Sequence, residues 1–335
     1  MNRAHFIAIF TLLFLCSCKS QDGAPAPNHR GVYHWKTTYN PTQWEKQWIE
    51  EHRIDRLYIR LFDIEAGEKA GEPDWKMVPT ATTQFRQKLP NTLDVVPVVY
   101  ITTDAIRALG NATYDWTTRE MYASLIVKRI DDMMADHWDG HIREVQLDCD
   151  WTSKCEQAYF ALARTIKDIL QERGITLSGT LRLHQLGIVK LWVQNGYNDA
   201  HIPFDRLMLM CYNTGRLQDP NTRNSILDFS DVRPYLNHYS CDKLPFTDIA
   251  WPVYGWGVEF DDKDNFKRLV NSSDLTDAKG KNARVREEWG NPREIRRTQK
   301  VLPKLDTVHT TILYHLDSLN LSKYSYEEIE AFYSR

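Results

Sequence analysis

The chain has 335 residues, of which 42% are hydrophobic and 26% charged, and its formal net charge is −3. This composition is typical of a globular protein with one large domain or two average ones. The small negative charge gives no electrostatic attraction to nucleic acid or to an anionic membrane, so we expect neither as a partner. The 11 Trp and 16 Tyr exceed what a core needs, so some of these rings are expected to line a groove.

The N-terminus is predicted to be a targeting segment rather than part of the fold. Arg3 precedes an apolar run, 6–15, that is too short to span a bilayer comfortably. The following "LCSC" resembles a bacterial lipobox, in which Cys18 becomes the lipidated first residue of the mature protein. We therefore expect a signal peptide at 1–17 and a flexible tether at 18–30. This predicts a protein of the cell envelope that meets the membrane only through its lipid, on a membrane face that the sequence leaves open.

Short β-rich runs alternate with helical stretches along the rest of the chain. The predicted strands are 31–35, 56–62, 94–101, 144–150, 175–183, 206–212, 248–254 and 310–316. Between them lie helix-like segments such as 155–174, in which apolar residues recur at helical spacing. The alternation predicts an α/β protein with a single (β/α)8 barrel over 31–335. A doubly wound open sheet is the alternative, but no glycine-rich phosphate loop follows the first strand.

Four cysteines lie beyond the targeting segment. Cys149 and Cys211 fall inside strand-like runs and are expected to be small buried apolar side chains. Together with Cys155 and Cys241 they match no zinc spacing, so we expect no bound metal and no cofactor. An exported location permits disulfides without requiring them.

Two acidic residues close the fourth predicted strand, "EVQLDCD". Side chains alternate along a strand, so Asp148 and Asp150 share a face that looks into the barrel near its C-terminal rim, where sites of this fold are built. Repulsion between two carboxylates in a low-dielectric interior predicts a raised pKa for one of them. In the alternative, both carboxylates have only a structural role and accept hydrogen bonds from the backbone or from Arg60 and Arg182. A functional site is favoured, because a buried acid pair at a barrel rim is costly.

Four short motifs follow one another along the chain: "LDCDWT", "DRLMLMCYN", "IAWPVYGWG" and "ILYHLD". Together they resemble the strand motifs of family 18 glycoside hydrolases, the chitinases and endo-N-acetylglucosaminidases. Asp148 and Asp150 align with the second and third aspartates of the fourth-strand signature D-G-x-D-x-D-x-E. Tyr212 and Asn213 take the last two places of the sixth-strand M-x-Y-D, and "PVYG" looks like the seventh-strand P-x-Y-G. Tyr314 stands where the eighth strand usually carries a Trp.

The resemblance implies a groove that holds a glycan, with Asp148, Asp150 and Tyr212 as candidate catalytic residues. The residues expected beside the glycan, from these motifs or from their places at strand ends, are Trp35, Arg60, Trp151, Arg182, His184, Asn213, Tyr254, Trp256 and Tyr314. For His184 the alternative is a structural one, in which its side chain caps the following helix or fills a loop.

The chain departs from the family pattern at the residue that matters most for catalysis. The glutamate that closes the signature is the family's proton donor, and the aligned residue here is Thr152, whose hydroxyl is far too weak an acid near neutral pH. The candidate replacements are Glu259 and Asp317, on the rim after the last two strands, or the Asp148/Asp150 pair acting on a differently placed bond. Three functions therefore stay open. The protein is an altered hydrolase, a barrel that binds glycans without cleaving them, or a structural or protein-interaction component of an envelope complex.

Overall fold

The computed structural model describes residues 28–67, 76–110, 115–194, 202–236, 247–275, 284–302 and 308–334. The predicted lipidation site Cys18 and the cysteine at 241 lie outside the described residues. Cys149, Cys155 and Cys211 are buried free thiols, which agrees with the expectation for Cys149 and Cys211. Across the described ranges, no helix combines the length and apolar character needed to cross a membrane.

Strands and helices alternate as the sequence predicts. The strands are β1 (His29–His34), β2 (Thr38–Tyr39), β3 (Arg56–Ala66), β4 (Met77–Thr80), β5 (Gln84–Phe85), β6 (Asp94–Ile101), β7 (Glu144–Asp148), β8 (Thr176–Arg182), β9 (Arg206–Met210), β10 (Asp248–Pro252), β11 (Gly255–Phe260), β12 (Phe266–Asn271), β13 (Arg284–Trp289) and β14 (Thr310–Tyr314). The helices are α1 (Gln43–Glu51), α2 (Thr103–Leu109), α3 (Trp116–His137), α4 (Glu156–Gln171), α5 (Leu183–Gln194), α6 (Phe229–Leu236), α7 (Pro292–Gln299), α8 (Ser318–Leu321) and α9 (Tyr326–Tyr333).

Eight parallel strands close into a barrel in the order β1-β3-β6-β7-β8-β9-β10-β14. Closure is visible at β1, where Gly31 pairs with Arg56 of β3 on one side and with Ile312 of β14 on the other. The predicted single (β/α)8 barrel is confirmed, and the open doubly wound sheet is excluded. Each of the eight predicted strands overlaps one strand of the barrel.

The barrel strands are apolar because both of their faces are covered. In β6, "DVVPVVYI", six of the eight residues are buried, as expected for a parallel strand between a packed interior and a helix layer. Helix α4 turns one apolar face to the sheet, with Tyr159, Ala163, Ile166 and Leu170 among its buried residues. The helix is therefore amphipathic, as the spacing of its apolar residues in the sequence indicates.

The N-terminal end of the barrel is closed by a buried ionic cluster. The guanidinium of Arg56 donates to Asp94 Oδ2 and to Glu144 Oε2, each over 2.9 Å, and Arg206 Nη1 donates to the same Glu144 oxygen over 3.1 Å. Gly31 makes room at this level, because a Cβ there would lie 3.0 Å from the ring of Tyr58. Within the described residues, charged side chains therefore fill this end of the barrel, and the large cavity of the barrel lies at its opposite, C-terminal end.

A three-stranded antiparallel sheet, β11 to β13, is inserted between the last two barrel strands and was not predicted as strands. Its central strand β11 follows β10 directly, which places the sheet at the C-terminal rim. A buried carboxylate fastens the sheet to the barrel. Glu288 accepts hydrogen bonds from the Ser225 hydroxyl, from Trp256 Nε1 (2.9 Å) and from Arg286 Nε (2.6 Å).

Candidate functional site

A cavity of about 830 Å³ opens at the C-terminal end of the barrel. We call it the cleft. Its walls come from the ends of the barrel strands, from the inserted sheet and from α8. Nine of the twelve predicted catalytic and glycan-contacting residues line it: Trp35, Asp148, Asp150, Arg182, Tyr212, Asn213, Tyr254, Trp256 and Tyr314.

Three of the predicted glycan contacts are not among the lining residues: Trp151, His184 and Arg60. The Trp151 ring is 1% exposed and packs edge-on against Phe160 of α4, with 5.3 Å between ring centroids. The expectation that it offers a stacking surface is wrong, because side chains alternate after β7 and that of Trp151 turns outward into the helix layer. His184 is exposed at the start of α5 and is not among the residues that line the cleft.

Asp148 lies at the bottom of the cleft with its side chain buried. Its Oδ1 accepts a hydrogen bond of 2.6 Å from the hydroxyl of Thr180. Burial raises the pKa of Asp148 to about 7, and the neighbouring charge of Asp150 adds to this effect. The sequence prediction that one member of the pair has a raised pKa therefore agrees with the structure, and the member is Asp148.

Asp150 is held by an arginine at the mouth of the barrel. Arg182 donates to its two carboxylate oxygens from Nε and Nη2, a fork-like pairing that fixes the carboxylate plane. Arg182 is thus one of the two partners that the structural alternative named, and both acidic side chains line the cleft. Arg60 instead pairs with Asp63, donating from Nε to Oδ1 over 2.6 Å, and is not among the lining residues.

Position 152 is not part of the cleft. Thr152 is exposed, and its carbonyl accepts hydrogen bonds of 2.9 Å from the amides of Cys155 and Glu156, where the chain turns into α4. Along β7 and just beyond it, the inward positions are Gln146, Asp148 and Asp150. Thr152 is therefore not among the lining residues, and Asp150 is the last inward-facing acid on this strand.

Aromatic rings form one side of the cleft. Tyr212 stacks on Tyr314, with centroids 5.2 Å apart and planes at 28°. The Tyr254 hydroxyl donates to Asn213 Oδ1 over 2.6 Å, and the Tyr254 ring meets that of Trp256 at 5.2 Å. Asn213 has a left-handed backbone (φ 56°), which asparagine adopts more readily than most residues.

Neither Glu259 nor Asp317 is suited to donate a proton. Asp317 lines the cleft, but an ion pair of 2.9 Å with Lys36 lowers its pKa despite partial burial. Glu259 is outside the cleft lining and pairs with Lys267 and Arg268 over 2.6 and 2.7 Å. A residue that donates protons near neutral pH needs a raised pKa, whereas the pKa of each of these two candidates is lowered.

Sequence reasoning missed part of the polar lining. Lys36, Asp63 and His315 all line the cleft. Lys36 and His315 directly follow the predicted site residues Trp35 and Tyr314 at two strand ends, and this position is the signal that could have identified them. Among the described residues, no group of three or more His, Cys, Asp or Glu side chains is placed to hold a metal ion.

Comparison with solved structures finds similar barrels. The spore cortex-lytic enzyme SleL of Bacillus cereus matches with a TM-score of 0.55 and 15% identity, covering 93% of this chain and 74% of that one. A chitinase from Chromobacterium violaceum gives a TM-score of 0.56 and 10% identity, covering 92% and 100%. A GH18 chitinase from Cycas revoluta, solved with (GlcNAc)4, gives 0.53 and 9%, covering 91% and 100%.

At sequence level, no protein-family model matches the chain and no curated protein matches it. At identities this low, the structural likeness bears on the fold. The chain therefore has a (β/α)8 barrel fold similar to that of the solved GH18 chitinases and of the spore cortex-lytic enzyme.

Proposed function

We propose that the protein binds a glycan chain in the cleft. One observation carries the proposal: aromatic rings and hydrogen-bonding side chains line a single cavity at the C-terminal end of a barrel, where sites of this fold are built. The rings of Trp35 and Trp256, which are only partly buried, offer apolar faces to sugar rings. The similar structures include a chitinase solved with (GlcNAc)4, so a glycan that contains N-acetylglucosamine is the first ligand to try.

The charges of the cleft favour an uncharged glycan. Asp63, Asp150 and Asp317 line it, and each is paired with a cationic side chain. Asp148 is largely protonated below pH 7. Among the described residues that line the cleft, no unpaired cation is therefore left to attract an anionic sugar, whereas paired charges can still exchange hydrogen bonds with hydroxyl groups.

Binding is tested with a panel of N-acetylglucosamine-containing and neutral glycans and two tryptophan variants. Trp35→Ala removes a ring from the cleft, and Trp116→Ala removes a ring that is 54% exposed on α3 and outside the cleft. We expect a glycan of the panel to bind wild type and Trp116→Ala alike, and Trp35→Ala to bind about tenfold or more weakly, as for loss of an aromatic anchor. Equal affinity in all three proteins, or no binding to wild type, would contradict the proposal.

Glycan cleavage is a second candidate function, and the pKa of Asp148 favours it. A carboxylic acid that stays protonated close to pH 7 and lines a cleft is the kind of group that protonates a glycosidic oxygen. The nearby Asp150 supplies a carboxylate at the mouth of the same cleft. Two-carboxylate glycoside cleavage likewise uses a protonated carboxyl together with a second carboxyl group in the same cleft.

Product release, followed by mass spectrometry on the same panel, distinguishes binding from cleavage. If the protein is a hydrolase, wild type releases product, and the rate falls as the pH rises through about 7 because Asp148 loses its proton. Asp148→Asn and Asp150→Ala then stop release while binding persists. Glycan retention with no product from any protein leaves the binding function, and neither retention nor product leaves a structural or protein-interaction role.

We also propose that Cys18 carries a lipid that anchors the barrel in the cell envelope. The support is the lipobox-like "LCSC" of the sequence. The test is partitioning between membrane and soluble fractions in a bacterial host. Wild type should be found with the membrane and Cys18→Ala should be released; an unchanged distribution would contradict lipid anchoring.

A further inference from the structure

Three polar side chains line the cleft where β1 and β14 end side by side. They are Lys36, His315 and Asp317, and we call them the polar corner. They adjoin the rings of Trp35 and Tyr314, whose centroids are 5.6 Å apart. The polar corner is separate from the Asp148–Asp150 pair, which comes from β7 on another part of the barrel wall.

The ammonium group of Lys36 is fixed by two carboxylates. It lies 2.9 Å from Asp317 Oδ1 and 3.2 Å from Glu45 Oε1. Glu45 is itself buried, and its carboxylate accepts hydrogen bonds from the backbone amides of Thr42 (2.8 Å) and Ser318 (3.2 Å). The lysine side chain, normally mobile, is therefore held in one place before any ligand arrives.

This arrangement leaves hydrogen-bonding capacity towards the cleft. An ammonium group has three N–H donors, and within the described residues two of those of Lys36 are used. Asp317 Oδ2 accepts from the backbone and side-chain amides of Asn320 (3.2 and 2.8 Å), whereas its Oδ1 accepts only from Lys36 among the described residues. One donor and one acceptor therefore lie next to each other at the cleft wall.

His315 adds a third group to the polar corner. Its Nδ1 is buried and has no hydrogen-bond partner among the described residues. Burial lowers the pKa of His315 to about 4, so the ring is neutral near pH 7 and its nitrogens divide into one donor and one acceptor. The carboxylates of Glu45 and Asp317 together carry more negative charge than Lys36 carries positive charge. This excess of negative charge disfavours a ligand with a carboxylate or phosphate group.

We infer that the polar corner is a second sugar subsite, which binds two neighbouring polar groups of an uncharged sugar unit adjacent to the one that lies over Asp148 and Asp150. A hydroxyl and the adjacent acetamido group of an N-acetylglucosamine unit match the adjacent donor and acceptor of Lys36 and Asp317, and the ring of Trp35 lies beside them. The inference rests on the proposed glycan binding, because it requires a chain of at least two sugars in the cleft.

The test measures how affinity rises with ligand length. N-acetylglucosamine and its oligomers of two to four units are titrated into wild type, Lys36→Met and Asp317→Asn. Lys88→Met is the matched control, because Lys88 makes a similar 3.0 Å ion pair with Asp139 on the exposed surface. We expect wild type and Lys88→Met to show the same increase in affinity as the ligand becomes longer. In Lys36→Met and Asp317→Asn this increase should be about tenfold smaller, because one charge-assisted hydrogen bond is lost.

Thermal unfolding separates a binding role from a structural one. Lys36 also ties β1 to the chain after β14, so its loss can lower stability without any effect on a ligand. If the variants unfold at a lower temperature but keep the wild-type increase in affinity with ligand length, the subsite proposal is wrong and the glycan-binding proposal is unaffected. If wild type binds none of these oligomers or the wider panel, both proposals fail together. Partial recovery of the gain in Lys36→Arg, which keeps a cationic donor, would further support the subsite.

Discussion

Asp148 differs from the other acidic residues of the cleft in the partner it has. Asp63, Asp150 and Asp317 each form an ion pair, whereas Asp148, within the described residues, has only the Thr180 hydroxyl. A buried carboxyl without a cation favours its neutral form, which is why its pKa rises to about 7. At the scale of single residues, the chemistry of the cleft depends on this difference.

The first prediction concerns the pH dependence of stability. The pKa of Asp148 rises from 3.8 when unfolded to about 7 when folded, so its contribution is fully present below pH 3.8 and is lost as the pH rises through 7. The total loss is on the order of 4 kcal/mol. Asp148→Asn should remove this pH dependence. Chemical denaturation should therefore give the variant a free energy of unfolding close to that of wild type at pH 4 and a larger one than wild type at pH 8. A variant less stable than wild type at pH 8 would contradict the raised pKa.

A second prediction follows from the Asp150–Arg182 pair. The positive charge of Arg182 lowers the pKa of Asp148, so Arg182→Met should raise that pKa further above 7. Carboxyl ¹³C NMR titration measures it directly. Arg173→Met, which breaks an exposed ion pair with Asp131, serves as the control and should leave the Asp148 titration unchanged. If the Asp148 pKa stays the same or falls in Arg182→Met, the charge of Arg182 does not lower the pKa of Asp148.

At the level of secondary structure, the inserted sheet forms one wall of the cleft through Trp256, Leu269 and Asn271. Its position depends on Glu288, which is buried and joins Ser225 of the barrel side to Trp256 and Arg286 of the sheet. Removing one partner of a buried ion pair leaves the other charge uncompensated.

We therefore predict that Glu288→Ala destabilises the protein by about 3 kcal/mol and weakens glycan binding, because Trp256 loses its hydrogen bond. Glu288→Gln keeps an oxygen that can accept from Trp256 Nε1 and should retain most of the affinity. Denaturation and titration of the two variants give the comparison. Full wild-type affinity in Glu288→Ala would mean that the sheet is not a wall of the binding site.

For the whole molecule, the two ends of the barrel are expected to serve different purposes. The N-terminal end holds the cluster of Arg56, Asp94, Glu144 and Arg206, and the C-terminal end holds the cleft. Glu144→Gln leaves two guanidinium groups without this carboxylate, so we predict a loss of about 3 kcal/mol in stability. Glycan affinity, measured where the variant is still folded, should not change. Weaker binding in a folded variant would show that the two ends are coupled.

Much of the fold could be predicted from the sequence because the barrel strands repeat one pattern. Each is a short apolar run that leads into a polar residue at the rim, and β6 matches its predicted bounds, 94–101, in full. The inserted sheet was missed because its strands are partly exposed and carry charges. β13, "RVREEW", is an example, with one buried residue in six. Such a segment has no apolar run by which a strand could be recognised.

The site was predicted in part for a similar reason. Alternation along β7 places Asp148 and Asp150 on one inward face, and both line the cleft. Alternation would also place the side chain of Thr152 on this inward face, but Thr152 is exposed. The strand ends at Asp148 and the chain turns at Thr152. Arg182 was named in advance as a possible partner of the acid pair, and it binds Asp150. The Lys36–Asp317 pair could not be predicted, since the two residues are far apart in sequence and meet only when β1 and β14 close the barrel.

Glycan binding in the cleft is tested most directly by a crystal structure of the protein soaked with oligomers of N-acetylglucosamine. We expect sugar density in the cleft, over Asp148 and between Trp35 and Trp256, with one unit in reach of Lys36 and Asp317. An empty cleft at ligand concentrations that saturate binding in solution, or sugar bound only elsewhere on the barrel, would contradict this expectation.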